Sequence, residues 1–160
     1  MWLYVCPIKM SRLVPVSSKR TIYIGLIMSL TGSCLCGSIR YEIHGELGKA
    51  MFCHCQICRK SNGSAFALNA AINAADFKLV SGESDLRSYA SSEDARRYFC
   101  EQCGSPIYSM RLSMPEVLRL RVGTLDNDIT IEKDSHIFVA SKAKWDEIHD
   151  GLPQFAERPV

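Results

Sequence analysis

The sequence predicts a mainly β domain, and three observations carry that reading. Short segments of alternating apolar and polar residues recur along the chain, separated by turn-forming Gly, Asn, Ser and Asp. Helical signals are few and short. Seven of the eight cysteines fall into three tight clusters: Cys34-Leu35-Cys36, Cys53-His54-Cys55-Gln56-Ile57-Cys58 and Cys100-Glu101-Gln102-Cys103. Thiolates grouped so closely mark a soft, tetrahedral metal ion, most often zinc, which would pin short strands together.

Taken in order, residues 1–27 carry Lys9, Arg12, Lys19 and Arg20 ahead of the apolar run Ile22–Leu30. That run is shorter than the roughly 20 residues a transmembrane helix needs. Basic residues before a short apolar stretch also have the form of a signal peptide, and Thr31-Gly32-Ser33-Cys34 hints at a lipoprotein cleavage site. Against this, Thr31 stands where a leucine is expected, and lipidation would take Cys34 away from a metal. The reading adopted is a dispensable extension, with Met28 as the functional start and Cys6 a bystander.

From Ser38 the pattern is β. Ile39, Tyr41 and Ile43 alternate with Ser38, Arg40 and Glu42, and His44-Gly45-Glu46 and Leu47-Gly48 read as turns. Met51-Phe52 leads into the three-cysteine stretch. Gln56 to Ser61 fits one short helical turn, stopped by Asn62-Gly63. Phe66, Leu68, Ala70 and Ile72 alternate, and Phe77–Val80 forms a strand closed by Ser81-Gly82. Leu86–Ala90 and Arg96–Phe99 flank the polar turn Ser91-Ser92-Glu93-Asp94, and Gly104 lets the backbone turn tightly after Cys103. Leu118, Leu120 and Val122 alternate with Arg119 and Arg121, the clearest amphipathic strand in the chain. After the turn Asp126-Asn127-Asp128, His136–Ala140 is the last expected strand and Trp145–His149 a short helix.

A chain of 160 residues with 47% apolar and 22% charged content suggests one domain with an ordinary core. Its net charge of +2 and lack of a basic run argue against a nucleic-acid surface. No membrane partner is expected. C-x-C and C-x-x-C spacing favours metal knuckles over a disulfide framework, and the familiar ferredoxin spacings are absent. Thiolate sites suit the reducing cytosol, so a cytoplasmic location is expected.

The thiol count decides how the ions divide. Seven thiols cannot fill two closed four-ligand sites. They fit one closed site, assigned to Cys34, Cys36, Cys100 and Cys103, and one open site of Cys53, Cys55 and Cys58. Two zinc ions per chain are therefore expected, the first structural and the second with room for water or substrate. The competing reading of the second site is a closed structural one, completed by a histidine or an acid. His54 lies between two ligands and should point away; His44, His136 and His149 stay open as ligands.

At these residues the chain resembles the glutathione-dependent formaldehyde-activating enzymes, grouped with centromere protein V as the GFA domain. The resemblance rests on Gly32-Ser33-Cys34-Leu35-Cys36-Gly37, Cys53-His54-Cys55-Gln56-Ile57-Cys58-Arg59-Lys60, Gly63 and Phe77-Lys78-Leu79-Val80-Ser81-Gly82. It continues through Arg97-Tyr98-Phe99-Cys100-Glu101-Gln102-Cys103-Gly104-Ser105, Gly123-Thr124-Leu125-Asp126, His136-Ile137 and Trp145. It implies a zinc-pinned β-tent of small antiparallel sheets over residues 28–150, flanked by the extension 1–27 and a C-terminal tail, 151–160. It also implies a zinc-dependent carbon–sulfur lyase acting on a thiol such as glutathione and a small aldehyde such as formaldehyde. Arg59 and Lys60 are candidate contacts for the thiol peptide; the bland reading is a solvated surface pair. Arg96 and Arg97 read as strand-surface charges, and Trp145 as a packing residue. The rival function is a zinc-stabilised binding module with an inert second site. The thiol, the aldehyde, the general base and the oligomeric state are not legible.

Overall fold

The computed structural model of the protein describes residues 29–159; the readings placed on residues 1–27, including Cys6, and on Met28 as the start lie outside them. The described chain is mainly β, as expected. Its strands are β1 (Leu30–Ser33), β2 (Arg40–Ile43), β3 (Ala50–Cys53), β4 (Ala67–Asn73), β5 (Phe77–Ser81), β6 (Leu86–Ala90), β7 (Ala95–Cys100), β8 (Pro106–Arg111), β9 (Met114–Arg121) and β10 (Lys133–Ile137). One α-helix, α1 (Gln56–Asn62), follows β3. It ends where Gly63 takes φ 61, a left-handed turn that glycine adopts at little cost.

Two sheets form. The smaller has the order β1-β2-β5, the larger β10-β3-β4-β9-β8-β7-β6. Their apolar faces share one core. Ile39, Tyr41 and Ile43 come from around β2, and Ile72, Ile107, Tyr108, Leu118 and Leu120 from the large sheet. Phe77 bridges the layers, stacked on Tyr41 at 5.1 Å and edge-on to Tyr108 at 5.1 Å. Tyr41 is 1% exposed, yet its hydroxyl is satisfied by Thr124 Oγ1 at 2.7 Å. Opposite it in the ladder is Gly32, where a Cβ would stand 2.1 Å from the Tyr41 ring. Only glycine lets β1 cross that ring.

Several expectations shift. β1 and β8 carry no clear alternation and went unforeseen. The last strand is Lys133–Ile137 rather than His136–Ala140, because Phe138 takes φ 59 and turns the chain out of the ladder. The pairing of β10 with β3 is parallel, with Ile137 opposite Cys53. Residues 145–149 form no helix, and Trp145 is 72% exposed, so it is not a packing residue. Residues 153–157 run beside β10: the amide of His136 donates to Pro153 O at 2.9 Å, and that of Phe155 to His136 O at 2.8 Å. No helix among the described residues is long and apolar enough to cross a membrane.

Candidate metal centres

The cysteines gather as two groups. Cys34, Cys36, Cys100 and Cys103 place their sulfurs within 4.8 Å of one another. The Cys34–Cys36 and Cys36–Cys100 sulfurs are 3.4 and 3.8 Å apart. Four sulfurs bound about 2.3 Å from a zinc ion stand about 3.8 Å apart in a tetrahedron, so the donor set fits that ion. All seven described cysteines are free thiols.

Two matching turns build this group. In the first, Cys34 N donates to Ile39 O and Gly37 N to Cys34 O; in the second, Cys100 N donates to Ser105 O and Gly104 N to Cys100 O. Gly37 and Gly104 each follow the second cysteine of their pair, at φ 76 and φ 75. The backbone amide of Ile39 donates to Cys34 Sγ at 3.3 Å. Ser38, read from the sequence only as a polar position of a strand, holds its hydroxyl 3.6, 3.2 and 3.4 Å from the sulfurs of Cys34, Cys36 and Cys100. The group thus joins the β1–β2 connection to the β7–β8 connection.

The second group is local. Cys53 ends β3, Cys55 caps α1 by accepting from the amide of Cys58 at 3.3 Å, and Cys58 lies within that helix. Their three sulfurs also lie within 4.8 Å of one another, and no fourth His, Cys, Asp or Glu joins them among the described residues. Competition among the three for protons holds Cys55 well below the ordinary thiol range, through hydrogen bonds from Cys53 and Cys58, and pushes Cys53 up.

His54 points away from this group, as its place between two ligands requires. It is fully buried, and its Nε2 lies 2.8 Å from His136 Nδ1. His136 Nε2 is in turn 3.1 Å from both oxygens of Asp150. On the other side, His54 Nδ1 lies 3.5 Å from Asp146 Oδ2, both buried and without a hydrogen-bond partner. Burial holds the His54 imidazole below its ordinary pKa, and the neighbouring imidazole of His136 adds to this. His136 is therefore a support of the loop; His44 and His149 form exposed pairs with Glu42 and Glu147.

The surroundings correct one reading and extend another. Arg97 is no free surface charge. Its Nη1 and Nη2 donate to Cys58 Sγ at 3.9 and 3.8 Å, and Nη1 also reaches Ser61 Oγ at 3.3 Å. Arg121, read as the polar side of an amphipathic strand, is only 5% exposed and donates to Asn69 Oδ1. Both line a cleft of about 190 Å³ with Ser61, Tyr89, Tyr98 and Tyr108. Alternation could not reveal them, because the strand face they share is filled by polar partners rather than water. Arg59 is half-buried with an unpartnered Nε, and Lys60 is exposed; neither lines that cleft. A larger depression of about 510 Å³ lies elsewhere, beside Glu46, Asp76 and Glu116, away from both thiol groups.

The profile of the family described as glutathione-dependent formaldehyde-activating enzyme matches residues 29–141, which include all seven of these cysteines. The chain belongs to that family. A Halomonas elongata relative, provisionally named a glutathione-dependent formaldehyde-activating enzyme, is 29% identical over 129 residues, 76% of this chain and 82% of the relative. A Schizosaccharomyces pombe protein named an uncharacterized lyase is 36% identical over 77 residues, 48% of this chain and 54% of that one. Among solved structures, the crystal structure of a Rhodobacter sphaeroides protein superimposes with a TM-score of 0.53 at 28% identity, covering 62% of this chain and 90% of that one. Membership in this family accounts for two cysteine groups able to hold metal ions on a mainly β scaffold.

Proposed function

We propose that the protein is a zinc-dependent carbon–sulfur lyase that joins a glutathione-like thiol to a small aldehyde such as formaldehyde, and runs the reverse reaction. The observation that carries this reading is the inequality of the two thiol groups: one has four donors and the other three, with no fourth among the described residues. Cys34, Cys36, Cys100 and Cys103 are the structural ligands, and Cys53, Cys55 and Cys58 the ligands of an open site. Zinc bound there supplies Lewis acidity and stabilises a thiolate at neutral pH.

In the reaction, the thiol sulfur forms a bond to the aldehyde carbon, the carbon–oxygen π bond breaks, and the thiol proton ends on the new hydroxyl. No oxidant or reductant is consumed. The chain's own groups orient and exclude. Arg97, in the wall of the cleft, holds the Cys58 sulfur by its Nη groups, and the buried His54–His136 pair holds the loop between Cys53 and Cys55. Arg59 and Lys60, on α1, are outer contacts for the thiol peptide.

The test is a cobalt-substituted protein titrated with glutathione, followed by exchange spectroscopy on glutathione and formaldehyde at equilibrium. A visible spectrum that responds to thiol, together with faster exchange, is expected. A spectrum blind to every thiol would leave a zinc-stabilised binding module, a reading favoured by the charge of three thiolates, which blunts a metal's acidity.

A further inference from the structure

Arg97 and Arg121 stand beside the three-thiol group without an acid to neutralise them. Among the described residues neither forms an ion pair with a carboxylate. Arg121 is 5% exposed, and its terminal nitrogens meet only neutral acceptors: Asn69 Oδ1, the Arg119 carbonyl at 3.3 Å and Ser109 Oγ at 3.5 Å. A buried guanidinium left in that condition is costly. Burial brings its pKa down to about 10, with the nearby thiols opposing the fall, so it is still charged at neutral pH. The Nε of Arg97 and the Nε of Arg121 are both buried and have no hydrogen-bond partner.

The simplest role for the pair is countercharge to the thiolates. That accounts for the Nη groups of Arg97, which reach Cys58. It does not account for two unpartnered Nε–H groups, nor for the cleft on which both side chains open. An Nε–Nη edge is the side of arginine that matches a carboxylate in two parallel hydrogen bonds. The wall beside it is aromatic, with Tyr98 stacked on Tyr108 at 4.4 Å and Tyr89 65% exposed.

We propose that this cleft is a carboxylate subsite, in which Arg97 and Arg121 take the carboxylate of the thiol substrate while its sulfur reaches Cys53, Cys55 and Cys58. The proposal rests on reading that thiol group as the centre that binds substrate sulfur. Because Arg97 touches Cys58 Sγ at 3.8 Å, the two anchor points are close. The substrate class is therefore a thiol with a carboxylate a few bonds away, as in a cysteinyl peptide or a mercapto acid. The tyrosines cover the linker between them.

The experiment measures binding by titration calorimetry on the full-length, metal-loaded protein. The probes are 3-mercaptopropionate against 3-mercaptopropionamide, and S-methylglutathione against its diethyl ester. S-methylglutathione has no free thiol, so it reports the carboxylate alone. Each acid should bind roughly tenfold or more tighter than its neutral analogue, the scale of one charge-assisted hydrogen bond. Arg97→Gln should erase that preference, and Arg97→Lys should restore only part of it. Arg121→Met, which removes the fork and keeps most of the volume, is the second variant; metal content and melting temperature serve as folding controls for all three. Equal affinity for acid and neutral analogue in the unaltered protein overturns the proposal. An acid preference that survives both Arg97→Gln and Arg121→Met also overturns it. Cobalt spectra separate this from the lyase reading. A thiol response identical for acid and amide keeps the lyase and sinks the subsite. Arg97-dependent binding of S-methylglutathione with no response to any thiol keeps the subsite and sinks the lyase.

Discussion

The four-thiol and three-thiol groups use the same donor atom and differ in what they tie together. Cys34 and Cys36 follow β1, whereas Cys100 and Cys103 lie more than sixty residues later, at the end of β7. An ion there clamps the small sheet to the large one and closes a long loop. Cys53, Cys55 and Cys58 come from one strand end and the first turn of one helix. An ion there orders six residues that are already held by β3 pairing and by the cap of α1. Sequence separation, more than ligand type, is thus expected to decide which site the fold depends on.

The largest expected effect tests that contrast directly. Cys100→Ser should cost more than about 4 kcal/mol, the range reached when a structural metal is lost, and should abolish cooperative melting. Cys55→Ser should cost about 1 kcal/mol or less, because a serine hydroxyl can take over the N-cap of α1 and only a local turn is loosened. Equal shifts in thermal denaturation would break the comparison.

Next in size is the response to a chelator. Two ions of unequal lability are expected, with the Cys53, Cys55 and Cys58 ion leaving first while circular dichroism stays near native. Elemental analysis during dialysis gives the order, and one zinc per chain in fresh protein would remove the basis for the division.

A third substitution sharpens the contrast from the supporting side. His136→Leu, which keeps most of the volume and removes both ring nitrogens, should leave His54 Nε2 buried without its partner, at a cost of about 1–3 kcal/mol. The damage should be local. A thiol-reactive probe should find Cys53 and Cys55 labelled faster, and the four-thiol group unchanged. Faster labelling of both groups would mean that the histidine pair supports the whole domain.

The smallest effect is a control. Gly104 and Gly63 turn the chain beside the two groups at φ 75 and φ 61, and neither has a heavy atom within 4 Å of an added Cβ. Replacing either by Ala should cost about 1 kcal/mol of backbone strain. Similar costs would show that the asymmetry lies in the thiols and not in the turns. A much larger loss for Gly104→Ala would shift part of it to the second knuckle.

The legible parts of the molecule were those in which one residue type settles the chemistry. The cysteine spacing foretold both groups, and Asn62-Gly63 foretold the end of α1. Ile39, Tyr41 and Ile43 foretold β2, because a half-buried strand writes its burial into alternate positions. The illegible parts depend on neighbours that are distant in sequence. Nothing local says that Arg121 meets Asn69, 52 residues away, or that Arg97 meets Cys58, 39 residues away. A charge on an alternating strand reads as solvent-facing unless the thiol group opposite is already in view. β10 was misplaced for a similar reason: Lys133, Asp134 and Ser135 look like loop, but their backbone finds β3. The turn at Phe138 is made by a residue with no intrinsic liking for it.

Residues 153–157 beside β10 have a consequence for solubility. A strand at the rim of a sheet offers unpaired amides and carbonyls to any other chain. At one rim, β6 is exposed and carries Arg87, paired with Glu101 at 2.6 Å, a charge that discourages stacking. At the other, the bonds of His136 to Pro153 and Phe155, and of Val139 N to Phe155 O at 3.0 Å, occupy part of the outer edge of β10. The last residues thus act as a cover against edge-to-edge association. A chain cut after Asp150 should keep its thiol groups and its core, yet aggregate at concentrations where the longer chain stays dispersed. The rim it exposes lies one strand behind the Cys53 turn, so self-association would begin next to the three-thiol group.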